Sequence, residues 1–119
     1  MTKENKRKIG GEYEKAAGRY LEQQGFQILE YNFRCKTGEI DIIAMKDTQL
    51  IFCEVKYRQD HKKGTPLEAV GLRKQRVISK CAMYYLTVHG LLHLNCRFDV
   101  IGITGNKIEW VPNAFDYTG

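Results

Sequence analysis

Apolar residues at helical and then at alternating spacing predict one helix and three strands in the first half of the chain. Apolar or small residues first recur every three or four positions, and Gly25 follows where a helix commonly ends. Apolar and polar residues then alternate in two segments, the first with an irregularity at Leu29-Glu30, and a third segment is apolar on both faces at its start, as a central strand is. The predicted elements are a helix over 12–24 and strands over 26–33, 39–45 and 50–57.

The second half of the chain predicts a longer helix and a final hairpin. Gly64-Thr65-Pro66 precedes a stretch of helical spacing over 67–89. Strand-like alternation then fills 95–104 and 107–111, which are joined by a turn at Gly105-Asn106. The order of helix, three strands, helix and two strands indicates a single-domain α/β sandwich. Its mixed central sheet has about five strands and is flanked by two main helices.

Length and composition indicate one globular domain without a membrane segment. The chain has 119 residues, of which 43% are hydrophobic and 28% are charged, an ordinary balance for a single core. No apolar run approaches the ~20 residues that a membrane helix needs, and no apolar stretch follows the charges at the N-terminus. We therefore expect a cytoplasmic protein without membrane contact. It divides into a basic, disorder-prone leader over 1–10, a domain over 11–112 and a tail over 113–119.

Basic residues outnumber acidic ones and concentrate in one stretch. Nineteen Lys and Arg against fourteen Asp and Glu give a net charge of +5 and a pI near 9.0, which favours an anionic partner. Within 56–80 there are eight basic residues and only two acidic ones. Arg73, Arg76 and Lys80 are spaced to share one face of the second helix. An ordinary solvated basic face would explain the same pattern.

The cysteines, the histidines and Asp99 do not form a recognisable site. The four cysteines lie too far apart in the sequence for a zinc knuckle or a thioredoxin-type pair. A helix-ending glycine separates His89 from His93, which argues against a zinc pair. Asp99 is expected to form a structural pair with Arg97 rather than a second site.

The most informative feature is a set of charged residues within the first predicted hairpin. If the hairpin turns about Asp47-Thr48, Asp41 lies opposite Glu54, and Lys56 lies on the same face as Glu54. Two opposed carboxylates repel each other, so this arrangement favours a compensating cation. Oxygen ligands suit Mg²⁺ or Mn²⁺ with water completing the shell. Alternatively, Glu39 pairs with Lys56 while the two acids face solvent.

These residues resemble the core of the PD-(D/E)xK nucleases. Gly38-Glu39-Ile40-Asp41 and Glu54-Val55-Lys56 match its pattern, in which an Asp and an ExK motif on adjacent strands hold a catalytic metal. Ile40 stands where the superfamily motif has its proline. Over 11–112 the chain resembles the YraN-like family of predicted endonucleases, which is similar to archaeal Holliday-junction resolvases. This resemblance implies a restriction-endonuclease-like fold.

The resemblance also implies roles for individual residues. Asp41 and Glu54 would bind Mg²⁺ or Mn²⁺, and Lys56 would be the catalytic lysine. Glu12 would supply a further acid from the first helix, although a Glu there also complements the helix dipole without any metal. Gln75 would lie near the site from the second helix, or would simply be exposed to solvent.

Three functions are compatible with these residues. The leading one is a Mg²⁺-dependent DNA endonuclease, with RNA not excluded as substrate; a branched junction substrate would favour a homodimer. The second is a nucleic-acid-binding module of the same fold without turnover, and the third is a module that binds an acidic protein. In the first two, basic side chains would contact phosphates without reading sequence. These nucleic-acid contacts would be Arg58, Lys62, Lys63, Arg73, Lys74, Arg76 and Lys80.

Overall fold

A five-stranded mixed sheet lies at the centre of the computed structural model, which describes residues 3–58 and 70–118, with side chains from residue 11. The elements are α1 (Lys3–Gln23), β1 (Gln27–Cys35), β2 (Gly38–Lys46), β3 (Gln49–Arg58), α2 (Leu72–Val88), β4 (Asn95–Thr104) and β5 (Lys107–Phe115). The strands lie in chain order, with β3 and β4 parallel and the other neighbours antiparallel. This is the expected α/β domain, and it is consistent with the restriction-endonuclease-like class.

The helix α1 covers one face of the sheet. Its residues Ala17 and Leu21 are buried four positions apart, so both point to the sheet from one side of the helix. They belong to a core with Ile42, Ile51 and Ile101 from three neighbouring strands. The first layer of the sandwich is therefore held by apolar burial between α1 and the middle of the sheet.

The helix α2 covers the opposite face and makes the parallel pairing of β3 and β4 possible. Parallel neighbours need a crossover connection, and α2 lies in the chain between these two strands. Ile78 and Tyr85 of α2 pack with Phe52 of β3 and Phe98 of β4. Within the described ranges, neither helix is long and apolar enough to cross a membrane.

The ends of three elements differ from the sequence prediction. The backbone of α1 is helical from Lys3 and continues through Gly10 and Gly11, so much of the basic leader belongs to this helix. The strand β5 continues past Pro112, which an edge strand tolerates because its outer N–H groups need no partner strand. Helix α2 begins after Gly71, and the predicted helix start at 64–66 lies outside the described residues.

The register of the hairpin formed by β2 and β3 is the predicted one. Lys46 pairs with Gln49 across the turn at Asp47-Thr48, and Ile43 pairs with Phe52. Asp47 adopts a φ of 54°, a left-handed conformation that Asp tolerates in tight turns. The irregularity predicted in β1 is also confirmed, because its pairing with β2 shifts at Leu29.

Asp99 joins β4 to β5 through a buried hydrogen-bond network. Its carboxylate is fully buried and accepts bonds from Arg97 Nε at 2.9 Å and Nη2 at 3.2 Å. Trp110 Nε1 donates to it at 2.9 Å and the backbone N–H of Asn113 at 3.0 Å. The predicted pair of Arg97 and Asp99 is therefore present, and its role is to satisfy a buried charge.

Replacing Asp99 with alanine should destabilise the fold strongly. The Asp99→Ala variant leaves the Arg97 charge and two N–H donors without their acceptor, so we expect the free energy of unfolding to fall by about 3 kcal/mol or more. Urea titration followed by circular dichroism measures this. Asp116→Ala removes an exposed carboxylate and should change stability by less than about 0.5 kcal/mol. Equal effects of the two substitutions would contradict the proposed role of Asp99.

Candidate functional site

The strands β2 and β3 separate at the position of the predicted acid pair. Their backbone pairing runs from the turn to Ile42 and Cys53 and stops there, one residue before Asp41 and Glu54. The backbone N–H of Val55 instead donates to Asp41 Oδ2 at 2.8 Å. A side-chain carboxylate thus accepts the hydrogen bond of a β3 backbone group beyond the end of the ladder, and a gap opens between the two strands.

Asp41 and Glu54 place two carboxyl groups together in this gap. Their side chains are buried, with only 8% of Asp41 and 4% of Glu54 exposed. Burial, a hydrogen bond shared with Glu54 and repulsion by Glu54 raise the pKa of Asp41 to about 8, although Val55 N–H and Lys74 act against the rise. Glu54 Oε2 has no hydrogen-bond partner among the described residues. One buried carboxylate oxygen in the gap is therefore left without a hydrogen-bond donor among the described residues.

Lys74 reaches the pair from the first turn of α2. Its Nζ lies 3.4 Å from Glu54 Oε2, a distance for an ion pair but long for a hydrogen bond. A cation in the first turn of a helix is opposed by the helix dipole, so the contact with Glu54 offsets an unfavourable position. Lys74, one of the predicted nucleic-acid contacts, thus lies beside the acid pair.

Glu14 reaches the pair from α1 and is not among the residues predicted from the sequence. Burial and repulsion by Asp41 raise the pKa of Glu14 to about 7; a hydrogen bond to Asp41 adds to the rise, and one with Asn32 opposes it.

The predicted Glu12 is exposed and does not border the site. Residues two apart on a helix point about 200° apart, so only one of the two can face the sheet. Glu14 lies three residues before Ala17 and seven before Leu21, so it shares the helix face of these two buried residues. An acidic residue on that apolar face was the signal in the sequence that pointed to Glu14.

Together these residues line a cavity of about 250 Å³, which we call the acid cleft. Lys56 borders it, is half-buried, and makes no hydrogen bond or ion pair with another described residue. The alternative pairing of Lys56 with Glu39 is wrong, since Glu39 contacts Arg34 at 3.3 Å. The residues lining the acid cleft are Tyr13, Glu14, Glu39, Asp41, Glu54, Val55, Lys56, Tyr57 and Lys74.

Two stacked tyrosines form part of the same cavity. Tyr13 of α1 and Tyr57 of β3 lie with ring centroids 3.8 Å apart and planes inclined by 16°. Tyr57 is 40% exposed, so the stack reaches the surface at the cleft. No pattern in the sequence pairs these two rings, because the contact depends on how α1 docks on the sheet.

Gln75 does not border the acid cleft. Its side-chain amide donates to the carbonyl of Val70 at 3.0 Å, and its backbone N–H donates to the carbonyl of Gly71 at 3.0 Å. Both bonds hold the chain that enters α2. This position gives Gln75 a structural contact one residue away from Lys74.

The other predicted basic residues that the structure describes lie on α2 and at the end of β3. Arg73 borders, with Lys74, a neighbouring groove of about 680 Å³ that runs to the turn between β1 and β2. Arg76 and Lys80 are exposed on α2, and Arg58 is half-buried at the end of β3. Lys62 and Lys63 lie outside the described residues. The described members on α2 thus give this helix an exposed basic surface, and the same helix supplies Lys74 to the cleft.

The donor set of the acid cleft fits a divalent cation that prefers oxygen. Asp41 and Glu54 supply carboxylate oxygens side by side, and one buried oxygen of Glu54 lacks a hydrogen-bond partner within the described part of the chain. In the described ranges no three His, Cys, Asp or Glu side chains are grouped closely enough to form a full metal cluster. Two carboxylates with water in the remaining positions are a common ligand set for Mg²⁺.

The stability of the metal-free protein should fall as pH rises through neutrality. The pKa of Asp41 is about 8 in the folded state against 3.8 ordinarily, so the folded protein binds more protons across that interval. The free energy of unfolding should therefore decrease with pH, by up to about 1.4 kcal/mol per pH unit for this group. Urea titrations in EDTA from about pH 5 to about pH 8.5 measure this slope.

The variant Asp41→Asn should reduce this pH dependence, because an amide does not titrate, while Glu14, whose pKa is raised to about 7, keeps a share of the slope. Asp116→Asn, which alters an exposed carboxylate, should retain the slope of the native chain. A slope that is unchanged in Asp41→Asn would show that the buried pair does not hold a proton at neutral pH.

The chain matches the model of one protein family over most of its length. The model, described as "Uncharacterised protein family UPF0102", matches residues 13–103. A UPF0102 protein of Lachnoclostridium phytofermentans is 47% identical over 97% of this chain and 98% of its own length. UPF0102 proteins of Coxiella burnetii (44%, covering 92% of each chain) and Caldanaerobacter subterraneus (41%, covering 97% and 100%) are similar. The chain belongs to the UPF0102 family, the YraN-like family that its sequence resembles.

Proposed function

We propose that this protein is a divalent-metal-dependent endonuclease of the PD-(D/E)xK class that hydrolyses phosphodiester bonds in DNA. The observation that carries the proposal is the buried pair of Asp41 and Glu54 at the point where β2 and β3 separate. Lys56 borders the same cavity two residues after Glu54, as the ExK motif requires. A fold alone would not support an activity, but these three residues occur in one cleft.

Asp41 and Glu54 would hold the metal ion in this proposal. When bound, Mg²⁺ or Mn²⁺ supplies positive charge that stabilises the phosphate in the transition state. The ion would also compensate the repulsion between the two carboxylates, which a shared proton and Lys74 compensate in the metal-free protein. Glu54 would then need Lys74 less, and the Lys74 ammonium would become available to a phosphate oxygen.

Lys56 and Glu14 would act on the reacting groups. The Lys56 ammonium is not used by any described neighbour, so it can orient the attacking water or stabilise charge on the phosphate. The pKa of Glu14 is about 7, which is close to the value that suits a general base at neutral pH. Glu14 borders the cleft beside Asp41 and could accept the proton of the water.

The exposed basic surface of α2 would position the substrate. Arg73, Arg76 and Lys80 are exposed along α2 and would contact backbone phosphates without reading the bases. DNA is the proposed substrate and RNA a second candidate, because phosphate contacts do not distinguish them. The similarity to archaeal Holliday-junction resolvases favours branched DNA and a homodimer with two clefts.

A nucleic-acid-binding module without turnover is the second candidate function. The contact between Lys74 and Glu54 favours it, since that ion pair already occupies one of the two carboxylates. Such a module would bind DNA through the same basic surface in the absence of any divalent ion.

The endonuclease assignment predicts metal-dependent cleavage that requires Lys56. Labelled linear and four-way-junction DNA are incubated with the protein in Mg²⁺, in Mn²⁺ and in EDTA. We expect cleavage only with the metals and a loss of about 100-fold or more in Lys56→Ala, because a charge that stabilises the transition state is removed. Lys46→Ala is the matched control, since Lys46 lies at the far end of the same hairpin and contacts Gln24.

Three outcomes separate the two functions from an artefact. Cleavage that is lost in Lys56→Ala and kept in Lys46→Ala supports the endonuclease. Cleavage at the same rate in all three proteins would indicate a contaminating nuclease and contradict the assignment. DNA binding in EDTA that weakens with salt, without any cleavage, would favour the binding module.

A further inference from the structure

Two cysteines from different layers of the fold meet at the turn between β1 and β2. Cys35 ends β1, and Cys81 lies in the middle of α2. The hydroxyl of Thr37 contacts both sulfurs, with Oγ1 3.1 Å from Cys35 Sγ and 3.4 Å from Cys81 Sγ. Each thiol also lies close enough to affect the pKa of the other. Residues 46 positions apart in sequence thus meet at one hydroxyl group.

The two sulfurs differ in acidity. Burial alone would raise the pKa of the Cys35 thiol, but hydrogen bonds from Cys81, Thr37 and the backbone of Thr37 and Gly38 outweigh it and lower that pKa. Burial and the bond to Cys35 raise the pKa of Cys81 to about 11. Cys81 therefore keeps its proton and donates it toward Cys35, which is the sulfur that can become a thiolate.

The surroundings of Cys35 are accessible and mainly basic. Cys35 is half-buried and borders both the groove of about 680 Å³ and a second cavity of about 250 Å³, whereas Cys81 is fully buried. A small oxidant therefore reaches Cys35 first. The charged side chains that border these two cavities are Arg34, Lys36, Arg73, Lys74, Lys80 and the acid Glu39, which pairs with Arg34.

The remaining cysteines lack these features and serve as internal references. Cys53 is fully buried in the core, where burial raises its pKa well above the ordinary value. Cys96 is exposed at the start of β4, and burial of its sulfur raises its pKa as well. Neither has a second cysteine as a hydrogen-bond partner in the described residues.

We propose that Cys35 and Cys81 form an oxidisable dithiol that reacts with hydrogen peroxide or another small peroxide to give an intramolecular disulfide. The Cys35 thiolate attacks one peroxide oxygen, forming a sulfur–oxygen bond and releasing hydroxide. Cys81 then loses its proton and attacks the Cys35 sulfur, and the departing hydroxide takes up a proton as water. Overall, two thiols and one hydrogen peroxide give one disulfide and two waters (an organic hydroperoxide gives one alcohol and one water), with both sulfurs oxidised and the peroxide reduced.

The disulfide would join α2 covalently to the turn between β1 and β2. Gly38, which begins β2 at this turn, is already in close contact with Val77 of α2, because a side chain at position 38 would overlap Val77 Cγ1. The bond would therefore fix a junction that is tightly packed in the reduced protein. This chemistry is independent of the proposed endonuclease activity, so either can fail without the other.

Oxidation of the reduced, folded, full-length protein with hydrogen peroxide tests the proposal. Remaining thiols are blocked with N-ethylmaleimide, and chymotryptic peptides are mapped by mass spectrometry without reduction; chymotrypsin separates Cys81 from Cys96 by cutting at Tyr84 and Tyr85. We expect a linked Cys35–Cys81 peptide as the main product, formed at least about 10-fold faster than oxidation of Cys96. Cys96→Ser should form the same link.

A second variant isolates the first chemical step. In Cys81→Ser the sulfenic acid on Cys35 has no thiol to condense with, so dimedone should label Cys35 strongly there and weakly in the native chain. Should Cys81→Ser fail to fold, the native chain and Cys96→Ser still decide the question. Oxidation of Cys35 and Cys96 at equal rates, or links that run mainly through Cys96, would overturn the proposal.

Discussion

The burial of two carboxyl groups in one gap is the constraint that shapes the rest of this protein's candidate site. Burial and repulsion by Glu54 oppose the charging of Asp41 there and raise its pKa. In the metal-free protein the Val55 N–H, the Lys74 ammonium and a shared proton supply partial compensation. A divalent cation bound between the two carboxylates would compensate their repulsion. The arrangement would therefore favour metal binding, although it lowers the stability of the metal-free fold. Glu14 of α1 and Lys74 of α2 both border this cavity, although the two helices cover opposite faces of the sheet.

Much of the fold follows from local patterns in the sequence. The polar turn at Asp47-Thr48 set the register of the hairpin, and alternation in β1 showed its irregularity at Leu29. These features depend on neighbouring residues only, so a sequence can reveal them. The start of α1 at Lys3 could not be predicted in this way, since Gly10-Gly11 indicates a break while the helical hydrogen bonds continue through it.

The candidate site was predictable in its strands and much less in its helices. Period-two alternation placed Asp41, Glu54 and Lys56 together, because strand register determines which side chains are neighbours. Whether Glu12 or Glu14 faces the sheet depends on how α1 is rotated about its axis. Helical spacing shows this only when the buried positions of α1 are followed back to Glu14. The contact of Lys74 with Glu54 depends on where α2 begins, and no local pattern reveals that tertiary position.

Titration with Mn²⁺ tests whether Asp41 and Glu54 form a site for a divalent cation. Electron paramagnetic resonance of free Mn²⁺ gives the number of bound ions and their affinity without requiring any substrate. We expect a site in the native chain whose affinity falls by about tenfold or more in Asp41→Asn and is retained in Asp116→Asn, a substitution at an exposed position. No binding by the native chain, or the same affinity in Asp41→Asn, would contradict it.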